Sequence, residues 1–492
     1  YGISDKEVGN PNDDSVGGHL LSSTEKKQRA ALIEQIKEKG YEQVMEEVAY
    51  TWFNRFSALR FMEVNGYIPT RVRVFTDENN AFKPQILTEA IHMELDGLDM
   101  EKVYAYKDTN DNDELYKYLL ITQCNALNSV LPGMFQKIAD YTELLFPDNL
   151  LREGSVVQQM IELIPEEDWN IKTIGENGEP QGQIEIIGWL YQYYITEEFD
   201  AIYDGNMSRG SVASSDIPAG TQLFTPEWAV KVMVENSLGR MWIEGHPESI
   251  GLKNKWDFYV DDIDQDDATK VSLHEVYREY SNIEPTLIMC IDPCMGSGHI
   301  LVRFFDTLMN IYESYGYSAR EAASLILKNN IYGLELDERA AQLAEFSLLM
   351  KARQYDRKIF EKGIKLHLYH FQNLCLNPND FESQDIKRLI GDFRLASDVG
   401  SLLTLNYNEQ LLQKLRTEVD RLENNLFTYN SRNYLQRMVD IATVLSKKYD
   451  VVVTNPPYLS NKRFNACLSG FIKENYPEGK ADLAMAMLQR LI

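Results

Sequence analysis

The chain has 492 residues, is 44% hydrophobic and carries a formal net charge of −26, enough for roughly two to four domains and too acidic for a wide nucleic-acid-binding face, which needs Lys and Arg to neutralise phosphates. Any basic surface must therefore be local or supplied from elsewhere. No apolar run reaches the 18 or so residues of a membrane span, no signal peptide is visible after Tyr1, and five scattered cysteines without a CxxC pair fit a reducing cytoplasm.

Residues 1–22 are polar and rich in Gly, Asp and Ser, and are expected to form a loop or arm. From Ser23 the pattern is helical: Ala30, Ile33, Ile36, then Val44, Val48, Trp52, Phe56 and Leu59 recur at steps of three and four. The aromatic run 50–67 is expected to be core, as aromatic stripes at helical spacing usually are. Residues 80–205 continue mainly as helices, with a second aromatic segment at 188–194. The acidic run at 108–113 resembles the start of a calcium loop, but Asp113 stands where that loop needs Gly and Leu119 where it needs Glu. The run at 261–267 is read as a solvated loop.

A Gly/Ser-rich stretch at 204–220 marks a composition shift, and the main boundary is placed there, giving a helical domain over 1–215 and a second domain over 216–492. Beyond it strands are expected at 286–291, 331–335, 365–371 and 449–454. Helices are expected at 299–315, 318–328 and 338–353, with a polar helical block at 408–447. This alternation predicts an α/β fold with a doubly wound parallel sheet.

Four motifs carry candidate chemistry. Phe224-Thr225-Pro226 precedes a helical run that Thr225 could cap. Asp292-Pro293-Cys294-Met295-Gly296-Ser297-Gly298-His299 follows a strand and opens a helix; Gly296 and Gly298 allow a tight turn and close approach to a ligand, and the lysine of a triphosphate site is missing. Glu335, at the end of the next strand, is placed to accept from ribose hydroxyls. Last comes Asn455-Pro456-Pro457-Tyr458, after the β-branched run Val451-Val452-Val453. The Asn455 amide and the Pro456 carbonyl can grip a planar amine, and Tyr458 offers a face for stacking a base. An amine held by two acceptors loses conjugation with its ring and becomes more nucleophilic. No metal site is expected: His367 and His370 lie three apart in a strand and face opposite ways, and no HExxH or CxxC occurs.

In the order FTP, DPxxGSGHxL, ELD, NPPY, these motifs resemble those of class I S-adenosylmethionine-dependent DNA methyltransferases acting on adenine N6, of the gamma arrangement, over roughly residues 220–490. The helical region, with AYTWFNRFSALRFMEVNGYIPTRVRV and IEIIGWLYQYY, is similar to the adenine methyltransferases of bacteriophage-exclusion (BREX) defence systems. The resemblance implies a Rossmann-like sheet, S-adenosylmethionine as cofactor, double-stranded DNA with a flipped adenine as substrate, other BREX proteins as partners, and a cytoplasmic site of action. It implies that Thr225, Asp292, Gly296 and Gly298 bind the methionine end of the cofactor. Glu335 would hold the ribose and Leu336 would pack on the adenine. Asn373 stands in for the Asp that often binds the cofactor's adenine amine, and Asn455, Pro456 and Tyr458 would engage the target base.

Two departures stand out. The block at about 380–447 looks like a helical insertion between the third and fourth strands, and the family's last strands and target-recognition domain are not found before Ile492. Two other readings compete: a protein or RNA amine methyltransferase, since such clamps also serve other planar amines, and a non-catalytic subunit that senses DNA or a partner and keeps the cofactor fold.

Overall fold

The computed structural model describes residues 1–136, 140–174, 182–204, 210–223, 225–261, 263–372, 376–422 and 429–491. Contacts divide the chain into two units, Tyr1–Ile187 and Gly188–Ile492. The division falls before the Gly/Ser-rich stretch, whereas the sequence reading puts a boundary at 215/216. Its position follows from packing: Ile202, Val212, Ile217 and Ala219 are buried in the core of the second unit.

In the first unit the arm holds a short hairpin, β1 (Ser15–Val16) and β2 (His19–Leu20), where the sequence reading expects only loop. Ser22 and Glu25 then form a reciprocal capping box that starts the helix Ser23–Lys39. The next helix, Tyr41–Val64, buries Val44, Val48, Trp52, Phe56 and Leu59, so the aromatic stripe is core. Near its end Glu63 accepts from the Val74 and Phe75 backbone N–H groups at 2.6 and 2.7 Å and pairs with buried Arg60 at 2.7 Å. In the calcium-like run, Asp111 caps the helix Asn112–Leu127 by accepting from the Glu114 N–H, which is an ordinary helix start.

The second unit is built on a four-stranded parallel sheet: β3 (Cys290–Asp292), β4 (Ile331–Glu335), β5 (His367–His370) and β6 (Val451–Val452), in the spatial order β5-β4-β3-β6. The first strand is central and the order reverses between it and the fourth. At such a switch point, outside the carboxyl ends of the strands, open sheets bind ligands. Along β4 successive side chains alternate between faces. Tyr332 and Leu334 join a core made with the helices Gln384–Asp392, Glu409–Arg421 and Tyr429–Ser446. Gly333 faces Leu301, on the helix His299–Tyr315. That helix and Glu338–Tyr355 cover this side, so the sheet is sandwiched and its Val/Ile/Leu content follows.

Three expected strands are shorter than their apolar runs. Pro285–Leu287 forms a 3₁₀ turn instead of extended chain, delaying β3 to Cys290. β5 is trimmed to His367–His370, and β6 to Val451–Val452, although the Val453 N–H still donates to the Ile291 carbonyl at 3.2 Å. The helix expected at 318–328 is regular over Ala319–Leu325 and ends in a π turn at Ile326–Asn330. The block at 380–447 lies between β5 and β6 in sequence and supplies one cover of the sheet. No described helix is long and apolar enough to cross a membrane.

Candidate active site

The carboxyl ends of β3, β4 and β6 meet at one cleft of about 680 Å³, lined among others by Cys294, Gly296, Glu335, Leu336 and Asn455. A smaller adjoining space of about 420 Å³ is lined by Thr225, Asp292, Ser297 and His299 and shares Gly296 and Asn455.

The glycine loop shapes the junction. Asp292 ends β3 and accepts from the Cys294 N–H at 3.0 Å, which turns the chain back. Gly296 and Gly298 have φ of +51° and +91°, where a side chain is strained. At Gly298 a Cβ would lie 2.9 Å from the Ala344 Cα and Cβ, so the loop can approach the helix Glu338–Tyr355 only without one. At Gly296 a Cβ would meet nothing within 4 Å, so this glycine faces open cleft. The helix His299–Tyr315 starts with no side-chain cap, leaving its first N–H groups unclaimed by a capping side chain at the cleft.

Two carboxyl groups are buried here. Glu335 accepts from the Gly296 N–H at 2.7 Å through one oxygen and from the Leu336 and Asp337 N–H groups at 2.8 and 3.0 Å through the other. Burial outweighs these bonds and pushes its carboxyl up to about 7. Asp292 is also pushed up to about 7, by burial and in part by the Glu335 charge. Behind them Asp337 caps the helix Glu338–Tyr355 through the Arg339 N–H at 2.8 Å and accepts from the buried Tyr191 hydroxyl.

Asn455 lies past the end of β6, two residues beyond the position that the pairing of Cys290 with Val451 and Ile291 with Val452 sets opposite Asp292, and Asn455 and Asp292 both line the smaller space. Its Nδ2 donates to the Leu223 carbonyl at 2.8 Å. That fixes which way the amide points and leaves Oδ1 as an acceptor. Pro457 also lines the cleft, while Tyr458, the next residue, is 47% exposed.

The fold thus brings Thr225, Asp292, Gly296, Glu335, Leu336 and Asn455 to adjoining spaces, with Gly298, Pro456 and Tyr458 on the same loops. Asn373 and Phe224 lie outside the described residues. Thr225 does not cap its helix: Pro226 is the N-cap of Glu227–Val234 and no side-chain cap bond forms, so Thr225 is left lining the cleft. Sequence reasoning missed the Leu223 carbonyl and the wall formed by Phe371, Asp398, Val399 and Gly400. A backbone carbonyl has no residue signature. The break Gly400-Ser401 within a helical block was the available signal for the wall.

Comparison with known proteins finds the following similarities. Residues 329–492 match the Eco57I restriction-modification methylase family. The chain is 34% identical over 510 aligned residues, 94% of its length, to the adenine-specific methyltransferase BrxX of Escherichia coli O9:H4 (strain HS). It is 36% identical over 481 residues, 91% of its length, to the adenine-specific methyltransferase PglX of Lacticaseibacillus casei (strain Zhang). The chain spans 40% and 38% of the lengths of these two relatives. The family match contains Glu335, Leu336 and the segment Asn455–Tyr458; the glycine loop and Thr225 precede it.

Proposed function

We propose that the chain is the cofactor-binding and methyl-transfer portion of a site-specific DNA adenine-N6 methyltransferase, using S-adenosylmethionine within a BREX-type anti-phage system. The observation that carries this is the placement of the Asn455 amide, oriented by Leu223, at the junction of two spaces that also hold Asp292, Gly296 and Glu335.

The residues fit S-adenosylmethionine. The open face at Gly296 and the uncapped helix start provide a cradle with free N–H groups. Glu335 is a buried carboxyl that accepts from three backbone N–H groups and keeps about one acceptor site for a ribose hydroxyl, and Leu336 gives an apolar face beside it. When bound, this cofactor supplies an electrophilic methyl group on a sulfonium. Asn455 Oδ1 and the Pro456 carbonyl accept the two hydrogens of the target amine and direct its lone pair into the cleft. Tyr458, exposed one residue beyond the cleft-lining Pro457, stacks on the base once it leaves the duplex. Neither acceptor has to remove a proton before attack, because the proton is lost from the methylated amine afterwards. The Rossmann-like character of the sheet, the duplex substrate and BREX protein partners belong to this same reading.

The test is modified-base sequencing of DNA from cells carrying the intact protein that contains this chain, with and without Asn455→Ala. A sequence-specific N6-methyladenine pattern is expected, and the variant abolishes it. Adenine methylation that is unchanged in the variant excludes the assignment.

A further inference from the structure

The loop that carries Glu335 is held from behind. One oxygen of Glu335 accepts from the Leu336 and Asp337 N–H groups at 2.8 and 3.0 Å, so the carboxyl sits where the backbone of residues 336 and 337 puts it. That backbone is fixed in turn by the Asp337 side chain. Its Oδ1 accepts from the Arg339 N–H at 2.8 Å and from Arg339 Nε at 3.3 Å, as the cap of the helix Glu338–Tyr355. Its Oδ2 accepts from the Tyr191 hydroxyl. Gln222 Nε2 stands 3.5 Å from both the Tyr191 hydroxyl and Asp337 Oδ2, a much weaker contact.

Tyr191 comes 146 residues before Asp337 in the chain, on the helix Ile186–Asp204. It is fully buried, and Asp337 is 7% exposed. A buried phenol needs one partner, and a backbone carbonyl would serve. Here the partner is instead the second oxygen of a carboxylate whose first oxygen is committed to the helix cap. Such a charge-assisted bond is shorter and roughly twice as strong as a neutral one. With both oxygens engaged, Asp337 cannot rotate about Cβ–Cγ without breaking a bond at each. The same helix also reaches the glycine-loop side, where the Trp189 ring lies 6.4 Å from the ring of His299, a residue lining the smaller space. Gln222 carries the network to the cleft itself: it lines both spaces, and its buried Oε1 has no partner among the described residues.

We propose that Tyr191 is a positioning residue of the cleft, which acts through Asp337 to hold the Glu335-Leu336-Asp337 loop in the shape that presents the Glu335 carboxyl. This rests on the reading of Glu335 as the ribose acceptor of an S-adenosylmethionine site. Without the hydroxyl, Asp337 Oδ2 is left buried without its main donor. Asp337 then turns toward another donor, and the N–H groups of residues 336 and 337 shift against Glu335. The oxygen left for the ribose moves with them, and a directional bond weakens. The aromatic segment at 188–194 thus does more than fill a core: the helix that opens the second unit braces the loop on which the cofactor is held.

The test is a double-mutant cycle, read by calorimetric binding of S-adenosylhomocysteine to the 492-residue chain with Tyr191→Phe, Glu335→Gln and the two combined. Tyr191→Phe keeps the ring and removes only the hydroxyl. It is expected to weaken binding by about 10-fold in the unsubstituted chain and by less than about 2-fold in Glu335→Gln, because its effect passes through Glu335. The binding stoichiometry reports the folded share of each preparation, so a loss of folded chain is read apart from a loss of affinity. Asp337→Ser is the second variant: it keeps a capping oxygen and removes the one that Tyr191 holds, and is expected to weaken binding to the same extent. Losses that multiply independently in the double variant overturn the positioning role, as does binding by Tyr191→Phe within about 2-fold of the unsubstituted chain. If the unsubstituted chain binds no S-adenosylhomocysteine at millimolar concentration, the cofactor reading itself fails, and this proposal with it.

Discussion

The Glu335 carboxyl is held near 7 by burial, against an ordinary value of 4.5. A folded-state value above the unfolded one means that the folded chain keeps a proton the unfolded chain has released. The contribution of this group to stability is thus largest at low pH and falls as pH rises to about 7; Asp292 acts in the same direction. Ribose hydroxyls are donors and favour the ionised acid, so cofactor binding should expel the proton. Calorimetry of S-adenosylhomocysteine binding is expected to show affinity rising by up to about 10-fold between roughly pH 6 and 8. Glu335→Gln should weaken binding and flatten that rise; a slope retained in the variant would place the titration elsewhere. Residues such as Glu335, Asp292 and Asn455 were legible in the sequence because each stands where an apolar strand stops. Thr225-Pro226 was ambiguous, since Thr before Pro suits a cap and a cleft wall equally.

At the scale of elements, the glycine loop depends on close packing against the helix Glu338–Tyr355. Gly298→Ala is expected to cost about 2–4 kcal/mol, combining left-handed strain with overpacking against Ala344. Urea unfolding of the whole chain measures this, and a change below about 0.5 kcal/mol would mean that the loop shifts freely. The strands were readable as apolar runs, but their ends were not. Hydrophobicity reports burial, whereas a ladder also needs extended backbone, and Pro285–Leu287 turns into a 3₁₀ helix instead. The wall at 398–400 was the least legible element: its helical neighbours read as an insertion, and only folding brings Gly400 against Leu336.

For the whole molecule, the charge of −26 sets an expectation about DNA. Non-specific affinity comes from cations replacing counterions, and this chain has 49 basic against 75 acidic side chains. Fluorescence anisotropy with a short duplex should give a dissociation constant weaker than about 10⁻⁴ M at physiological salt, with a shallow salt dependence. Submicromolar binding would reveal a concentrated basic face.

The order β5-β4-β3-β6 also has a kinetic meaning. β3, β4 and β5 pair between near neighbours in sequence, but β6 reaches back across 161 residues, from Asp450 to Met289. Closing so long a loop costs entropy before any contact repays it. During synthesis the segments that form the glycine loop and Glu335 leave the ribosome well before Asn455, so their half of the cleft can take shape while the Asn455 side is still unmade. Assembly of the cleft is then the last long-range event in this unit, and on the proposed function a chain interrupted before β6 would hold a nucleoside pocket with nothing yet to receive its methyl group.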